Sequence, residues 1–335
     1  MIRAEADAFL ATAGWGDATR AHLAGDASDR RYARLTRGDQ TAVLMDAPPG
    51  SGDDPADFVA IAQHLTGLGL SPPRILAQDL AHGFLLLEDL GDGLFARLID
   101  RDPALETPLY AAATDVLVEL ERAPLPPGRP DLSAQDWAQA AAFALDWYAL
   151  AATGTRPPTG PFMAAMRDAL ETHAEGPRIL ILRDYHAENL LWLPDRTGLA
   201  RVGLLDFQLG QAGQPGYDLI SLLQDARRDV SRDVAHVMIR RYADATGRDM
   251  ATLSARLATL GAQRALRILG VFARLCLVGG KPGYLPLLPR VWGQLQDNLR
   301  HPALAALARA CTVLPAPTPA LIDRIGTQCA PPPSR

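Results

Sequence analysis

Asp184 and Asn189 stand five residues apart in RILILRDYHAENLLWLP (178–194), and Asp206 closes the apolar run of VGLLDFQ further on. Two carboxylates and a carboxamide at this spacing suit phosphoryl transfer, a reaction that needs little covalent help and much positioning and charge neutralisation. Asp184 is placed to orient an attacking hydroxyl and accept its proton. The Asn189 amide oxygen and the Asp206 carboxylate are hard oxygen ligands for Mg²⁺ on the phosphates of ATP. Such groups work only if the chain holds them still. Apolar runs flank RDYHAEN on both sides, and the insert is too long and too polar for a two-residue hairpin turn. It reads as a working loop carried by two strands.

The elements that must carry it follow from periodicity. Strand-like runs fall at 31–36, 41–45, 74–78 and 84–87, with one helical pattern near 55–68 among them. After Gly91-Asp92-Gly93 helical patterns dominate, at about 104–121, 134–150, 161–172, 217–226, 232–246, 250–277 and 287–307. The exceptions are two short strand readings, around the working loop and at 200–206. Pro- and Gly-rich stretches at 124–130 and 155–161 read as loops, and the Pro-rich end from 315 reads as loosely held. This predicts an α+β chain with a small β-rich lobe, 1–90, that binds nucleotide. A large helical lobe, 91–335, would carry the catalytic loop and the acceptor site.

An Asp, an Asn five residues later and a post-strand Asp-Phe is the arrangement seen in kinases. On these residues the chain resembles the aminoglycoside phosphotransferase family from about residue 20 to 300. That resemblance implies a bilobal protein-kinase-like fold, ATP and Mg²⁺ as cofactors, Asp184 as base and Asn189 with Asp206 as metal ligands. LRDYHAENLLWL, VLMDAPPG, GFLLLEDLGD and KPGYLPLLPR are similar to a branch of that family. Its members phosphorylate the anomeric hydroxyl of N-acetylmuramate and N-acetylglucosamine in bacterial cell-wall recycling, giving α-1-phosphates. Two departures stand out. The family loop usually begins His-Gly-Asp, where this chain has Leu182-Arg183-Asp184. The family's strand lysine has no counterpart, because Lys281 is the only lysine and the strand position reads as Met45.

Phosphate neutralisation must therefore come from elsewhere, and GDASDRRYARL offers Ser28, Arg30, Arg31 and Arg34 as ATP-binding candidates. The resemblance also makes Phe84–Asp92 a hinge strand whose backbone at Glu88 and Leu90 would meet the adenine edge. Asp218 would support the loop from a helix start. His186 would touch substrate or pack within its loop, and Tyr185 and Trp192 would pack.

Charge bears on the acceptor. The net charge is −5, yet from residue 226 onward fifteen arginines and Lys281 face six aspartates, a surplus of ten positive charges. A polycationic aminoglycoside would want the opposite, and choline would want more aromatic residues than 6%. The lactyl carboxylate of N-acetylmuramate suits a basic wall. Arg264, Arg267 and Arg274 return to nearly one helix face. With Lys281 and Tyr284 they form the expected acceptor wall, the alternative being a solvated or internally paired basic face.

Other classes fit poorly. Gly280-Lys281 is followed by Pro rather than Ser or Thr, and no G-x-S-x-G, H-E-x-x-H or G-x-G-x-x-G occurs. Arginines spread over many helices without aromatic interleaving argue against nucleic acid. No apolar run would span a membrane and no signal peptide is evident, which predicts a cytoplasmic protein with a small-molecule substrate and no obligate protein partner. Three cysteines read as free thiols. The rivals are another small-molecule kinase (aminoglycoside, choline or homoserine type), a non-catalytic nucleotide-binding regulator, and a kinase-like fold that transfers a different part of ATP.

Overall fold

The computed structural model describes residues 2–23, 30–50 and 54–331, so Ser28 lies outside the described residues. The chain forms two compact units, Met1–Gly128 with Leu182–Gln211, and Arg129–Ile181 with Ala212–Arg335. The division differs from the boundary expected near residue 90. Residues 91–128 and the catalytic loop group with the sheet, because compactness follows contacts rather than chain order.

In the first unit, α1 (Ala6–Thr12) precedes a five-stranded antiparallel sheet of β1 (Thr19–Leu23), β2 (Arg31–Arg37), β3 (Gln40–Asp46), β4 (Ile75–Asp79) and β5 (Phe84–Glu88). The strand order is β1-β2-β3-β5-β4. On β2 the residues alternate, burying Ala33 and Leu35 while their neighbours face out, the period-two pattern of a half-buried strand. Phe84–Leu87 of β5 are buried on both faces. Between β3 and β4 runs α2 (Pro55–Gly67), started by Asp54, which accepts the Ala56 amide at 2.8 Å, and by Pro55 at the first helical position. Neither α1 nor β1 follows from the sequence patterns above. α1 is two turns long and β1 is almost wholly exposed, so neither shows a clear period. α1 is held by burying Phe9 and Leu10 against Leu35, Leu44, Phe84 and Leu86, each side chain worth about 1.5–3 kcal/mol. Just ahead of it, Arg3 pairs with buried Asp46 at 2.7 Å and lies 4.4 Å over the Phe84 ring.

Next come α3 (Phe95–Arg101) and α4 (Glu106–Arg122). The chain later returns to this unit after β6 (Ile179–Ile181), a strand of the second unit, and forms the hairpin of β7 (Leu190–Trp192) and β8 (Val202–Leu204), paired Leu190↔Leu204, Leu191↔Gly203 and Trp192↔Val202. The Trp192 amide donates to the Gly93 carbonyl at 2.8 Å, and a Cβ on Gly93 would stand 2.7 Å from the Trp192 oxygen. Only glycine lets the segment after β5 press against this hairpin.

The second unit is helical: α5 (Ala134–Ala141), α6 (Leu150–Thr153), α7 (Gly160–His173), α8 (Tyr217–Leu223), α9 (Arg232–Thr246), α10 (Met250–Leu277), α11 (Leu288–Leu299), α12 (Ala305–Ala310) and α13 (Pro319–Gly326). Polar caps start several of them: Ser133 with Asp136 in a capping box, Ser231, and Asp249. The helices expected at 134–150 and 287–307 are interrupted. A π-helical turn, Ala144–Ala149, splits the first beside Gly270 of α10, where a Cβ would lie 2.2 Å from the Phe143 carbonyl carbon. Pro302 breaks the second, holding His301 extended, and the His301 ring caps the next turn by accepting the Ala303 amide. As far as residue 331, the Pro-rich stretch is not loose. Cys276 and Cys329 form a disulfide, the Tyr148 hydroxyl donates to the Pro315 carbonyl, and Gln328 donates to the Ala151 carbonyl. The free-thiol reading holds only for Cys311, which is buried and has its thiol pushed up to about 12 by that burial.

Candidate active site

The loop between β6 and β7 is built around Asn189. Its amide nitrogen donates to the Asp184 carbonyl at 2.9 Å and lies 3.4 Å from the His186 ring nitrogen, while its backbone amide closes a turn on the His186 carbonyl at 2.8 Å. The NH₂ end is thereby committed to the loop, which leaves the carboxamide oxygen as the side chain's acceptor. The loop is anchored from beneath. Tyr185 is buried with its hydroxyl on the Ala113 carbonyl at 2.9 Å, and the Ala187 carbonyl accepts the Ala96 amide at 3.1 Å. Trp192 packs edge-on against Phe95 and under the Arg201 guanidinium.

Asp206 comes to the same place through the hairpin. One position beyond the Leu190↔Leu204 pair, the Leu205 amide donates to the Asn189 carbonyl at 3.0 Å, so Asn189 and the residue before Asp206 are bonded neighbours. Asp206 has φ of 56°, in the left-handed region. The turn it makes drives Phe207 inward, wholly buried and stacked on Phe58 of α2 at 4.8 Å, while the carboxylate stays 40% exposed. Its Oδ1 accepts the Gln208 amide and the Arg30 guanidinium, each at 2.9 Å. Arg183, next to Asp184, is the other described non-glycine residue at positive φ, 73°. A residue with a Cβ pays about 1–2 kcal/mol for this conformation, so the chain carries strain beside Asp184 and at Asp206.

Among the described residues no group of three or more His, Cys, Asp or Glu could enclose a metal ion. One amide oxygen and one carboxylate nonetheless fit Mg²⁺, which takes one or two protein oxygens and completes its shell with water and phosphate.

The structure sorts the remaining expectations. Arg30 reaches the site through Asp206. Arg31 starts β2 and is exposed. Arg34 is engaged by carboxylates: it pairs with Asp89 at 2.8 Å and Asp92 at 3.0 Å, clamping the segment after β5. The Asp92 carboxyl is held below the usual range by that hydrogen bond. The Glu88 backbone amide is used within the sheet, donating to the Arg74 carbonyl at 2.8 Å, which removes it as an adenine donor. Leu90 lies partly exposed in the segment beyond β5. The Glu88 side chain bridges Arg74 at 3.2 Å and Arg196 at 2.7 Å. Burial would raise its pKa, but the Arg74 amide and the Arg196 guanidinium outweigh that and hold it low. His186 is buried, with a ring nitrogen 3.4 Å from the Asn189 amide.

The acceptor stripe on α10 does not form one wall. Arg264 is buried with a guanidinium nitrogen on the Gln224 carbonyl at 2.9 Å, Arg267 is half-buried, and Arg274 is exposed over the Trp147 ring at 5.6 Å. Tyr284 is buried against Phe272 at 5.1 Å, and Lys281 is half-buried at the start of a 3₁₀ turn, Pro282–Leu287. Since both faces of α10 are covered through its middle, return to one face does not mean exposure. Asp218 is buried in the first turn of α8. Several other arginines of the basic half also face inward, onto the carbonyls of Glu175, Ala226 and Ala152. Arg30's grip on Asp206 and the Phe58–Phe207 stack were missed in the sequence, because each joins distant segments.

The profile of the phosphotransferase enzyme family (APH) matches residues 19–255. The chain is 38% identical to the N-acetylmuramate/N-acetylglucosamine kinase of Caulobacter vibrioides, over 90% of this chain and 93% of that one. It is 34% identical to the kinase of the same name from Pseudomonas aeruginosa, over 90% and 91%. Among solved structures, a choline/ethanolamine kinase family protein from Mesorhizobium loti superposes with a TM-score of 0.62 at 17% identity, covering 96% of this chain and 98% of that one. A thermostable mutant of aminoglycoside phosphotransferase APH(4)-Ia, in ternary complex with ADP and hygromycin B, gives 0.61 at 14% identity, over 88% and 97%. The last two establish the fold, an α+β protein-kinase-like one.

Proposed function

Because this chain belongs to the phosphotransferase enzyme family, we propose that it moves the γ-phosphoryl group of ATP, with Mg²⁺, to the anomeric hydroxyl of N-acetylmuramate and N-acetylglucosamine. The observation that carries this reading is the hairpin register. It brings Asn189 beside the Asp206 turn, and within the loop the Asn189 side chain donates to the Asp184 carbonyl, so the three residues lie close in one frame.

In the step, Asp184 orients the C1 hydroxyl and accepts its proton. The C1 oxygen bonds to the γ-phosphorus as the bond to the β,γ-bridging oxygen breaks, and ADP leaves. The anomeric hydroxyl is more acidic than an ordinary sugar alcohol, so much of the Asp184 effect is orientation. Asn189 and Asp206 would hold the Mg²⁺, which when bound neutralises charge on the β- and γ-phosphate oxygens.

The test is ³¹P NMR of the protein with ATP and Mg²⁺, incubated separately with N-acetylmuramate, N-acetylglucosamine, kanamycin and choline. A phosphate signal coupled to the anomeric proton, formed with ADP, supports the reading. Phosphorylated kanamycin or choline instead would overturn the acceptor, and pyrophosphate in place of ADP would overturn the reaction.

A further inference from the structure

Asp206 already holds a cation of the protein's own. The Arg30 guanidinium, 9% exposed as a side chain, sits 2.9 Å from Oδ1 of Asp206 through a single nitrogen. A divalent ion seeking that carboxylate meets a fixed positive charge on it, and the two cations repel. Gln208, by contrast, bonds the same oxygen without charge, and keeps the carboxylate oriented if Arg30 leaves. A guanidinium prefers the paired oxygens of a phosphate to a single carboxylate oxygen, since its fork then makes two parallel bonds. β3, which pairs with β2 just beyond Arg30, carries no lysine, and the only lysine in the chain is Lys281.

We propose that Arg30 is an exchanging counterion: it neutralises Asp206 when no metal is bound, and passes to the nucleotide phosphates when the metal takes Asp206. Metal and nucleotide then bind cooperatively, because each removes the partner that Arg30 would otherwise keep. This rests on the kinase reading and adds to it the residue that links the two ligands.

Two titrations without turnover test it. Mn²⁺ binding is measured by electron paramagnetic resonance with no nucleotide present, and ADP binding by calorimetry with Mn²⁺ saturating. Arg30→Ala is expected to bind Mn²⁺ about fivefold more tightly, the scale of a partly exposed ion pair removed, and to bind ADP more weakly. Arg30→Gln, which preserves bulk, should move both in the same directions. Opposite shifts in one variant separate exchange from damage, since a misfolded site would lose both ligands. Arg31→Ala removes the same charge one residue away and is expected to leave Mn²⁺ affinity within twofold. The proposal is overturned if Mn²⁺ affinity is unchanged or weaker in both Arg30 variants, if ADP binding is unaffected, or if Arg31→Ala tightens Mn²⁺ as much. Wild-type protein that binds no Mn²⁺ would overturn the metal assignment too. Wild type that binds Mn²⁺ normally, with unresponsive Arg30 variants, would leave the kinase reading standing and remove only Arg30.

Discussion

At the scale of single residues, the site is a balance of strain and charge. Asp184→Asn keeps the shape of the side chain and removes the base. We expect kcat to fall by about two to four orders of magnitude with ATP affinity retained, as read by steady-state kinetics beside a nucleotide titration; unchanged kcat with every acceptor would refute the role. Arg183 is held at a φ of 73°. Arg183→Gly should stay within about 1 kcal/mol of wild-type stability, whereas a β-branched Arg183→Val should lose about 2 kcal/mol. Urea denaturation of the two variants decides this, and equal losses would mean that the conformation carries no strain. Asp184, Asn189 and Asp206 could be singled out in the sequence because their types and spacing are local, and the fold brings them near one another. The places of Arg34 and Arg264 could not. A string shows that an arginine is charged, but not that Asp89 and Asp92 or the Gln224 carbonyl have claimed it.

At the scale of elements, the β7–β8 hairpin and α2 do the positioning. Phe207 buries itself on Phe58, so α2 fixes the turn that aims Asp206. Phe58→Ala should cost about 3 kcal/mol and lower kcat, because the loosened Phe207 no longer holds its neighbour. Thermal unfolding and kinetics on the same preparation test the coupling; a stability loss with kcat intact would confine α2 to a packing role. Strong periods placed β2–β5, α2, α4, α7, α9 and α10 to within two residues. Weak ones failed. β1 has no buried face, α1 is two turns long, and the π-turn answers a close approach by Gly270 that lies far along the chain.

At the scale of the whole molecule, stability draws on distant pairs. Glu88, set between Arg74 and Arg196, has its folded pKa below the ordinary value. Its contribution is therefore present above the ordinary carboxyl pKa, about 4.3–4.5, and is lost as pH falls through the lower folded value. The stability gap between wild type and Glu88→Gln should be full at pH 7 and shrink below about pH 4 in urea titrations; a constant gap would show that charge is not its source. The Cys276–Cys329 bond closes 53 residues of chain. Cys329→Ser should lower stability by about 2 kcal/mol and leave turnover alone, and a kinetic loss of equal weight would tie the chain end to catalysis. No described helix is long and apolar enough to cross a membrane.

The sequence by itself determined the chemistry and the kind of fold. The spacing of Asp184, Asn189 and Asp206 and the periods of the strands and helices are short-range properties, written residue by residue. Only the tertiary structure decided which arginine meets which carboxylate, and which face of α10 is covered. It also decided that the Pro-rich stretch up to residue 331 is bonded down and that Arg30 stands on Asp206. Those outcomes depend on segments far apart in the chain arriving at one point, and no local pattern encodes where such segments meet.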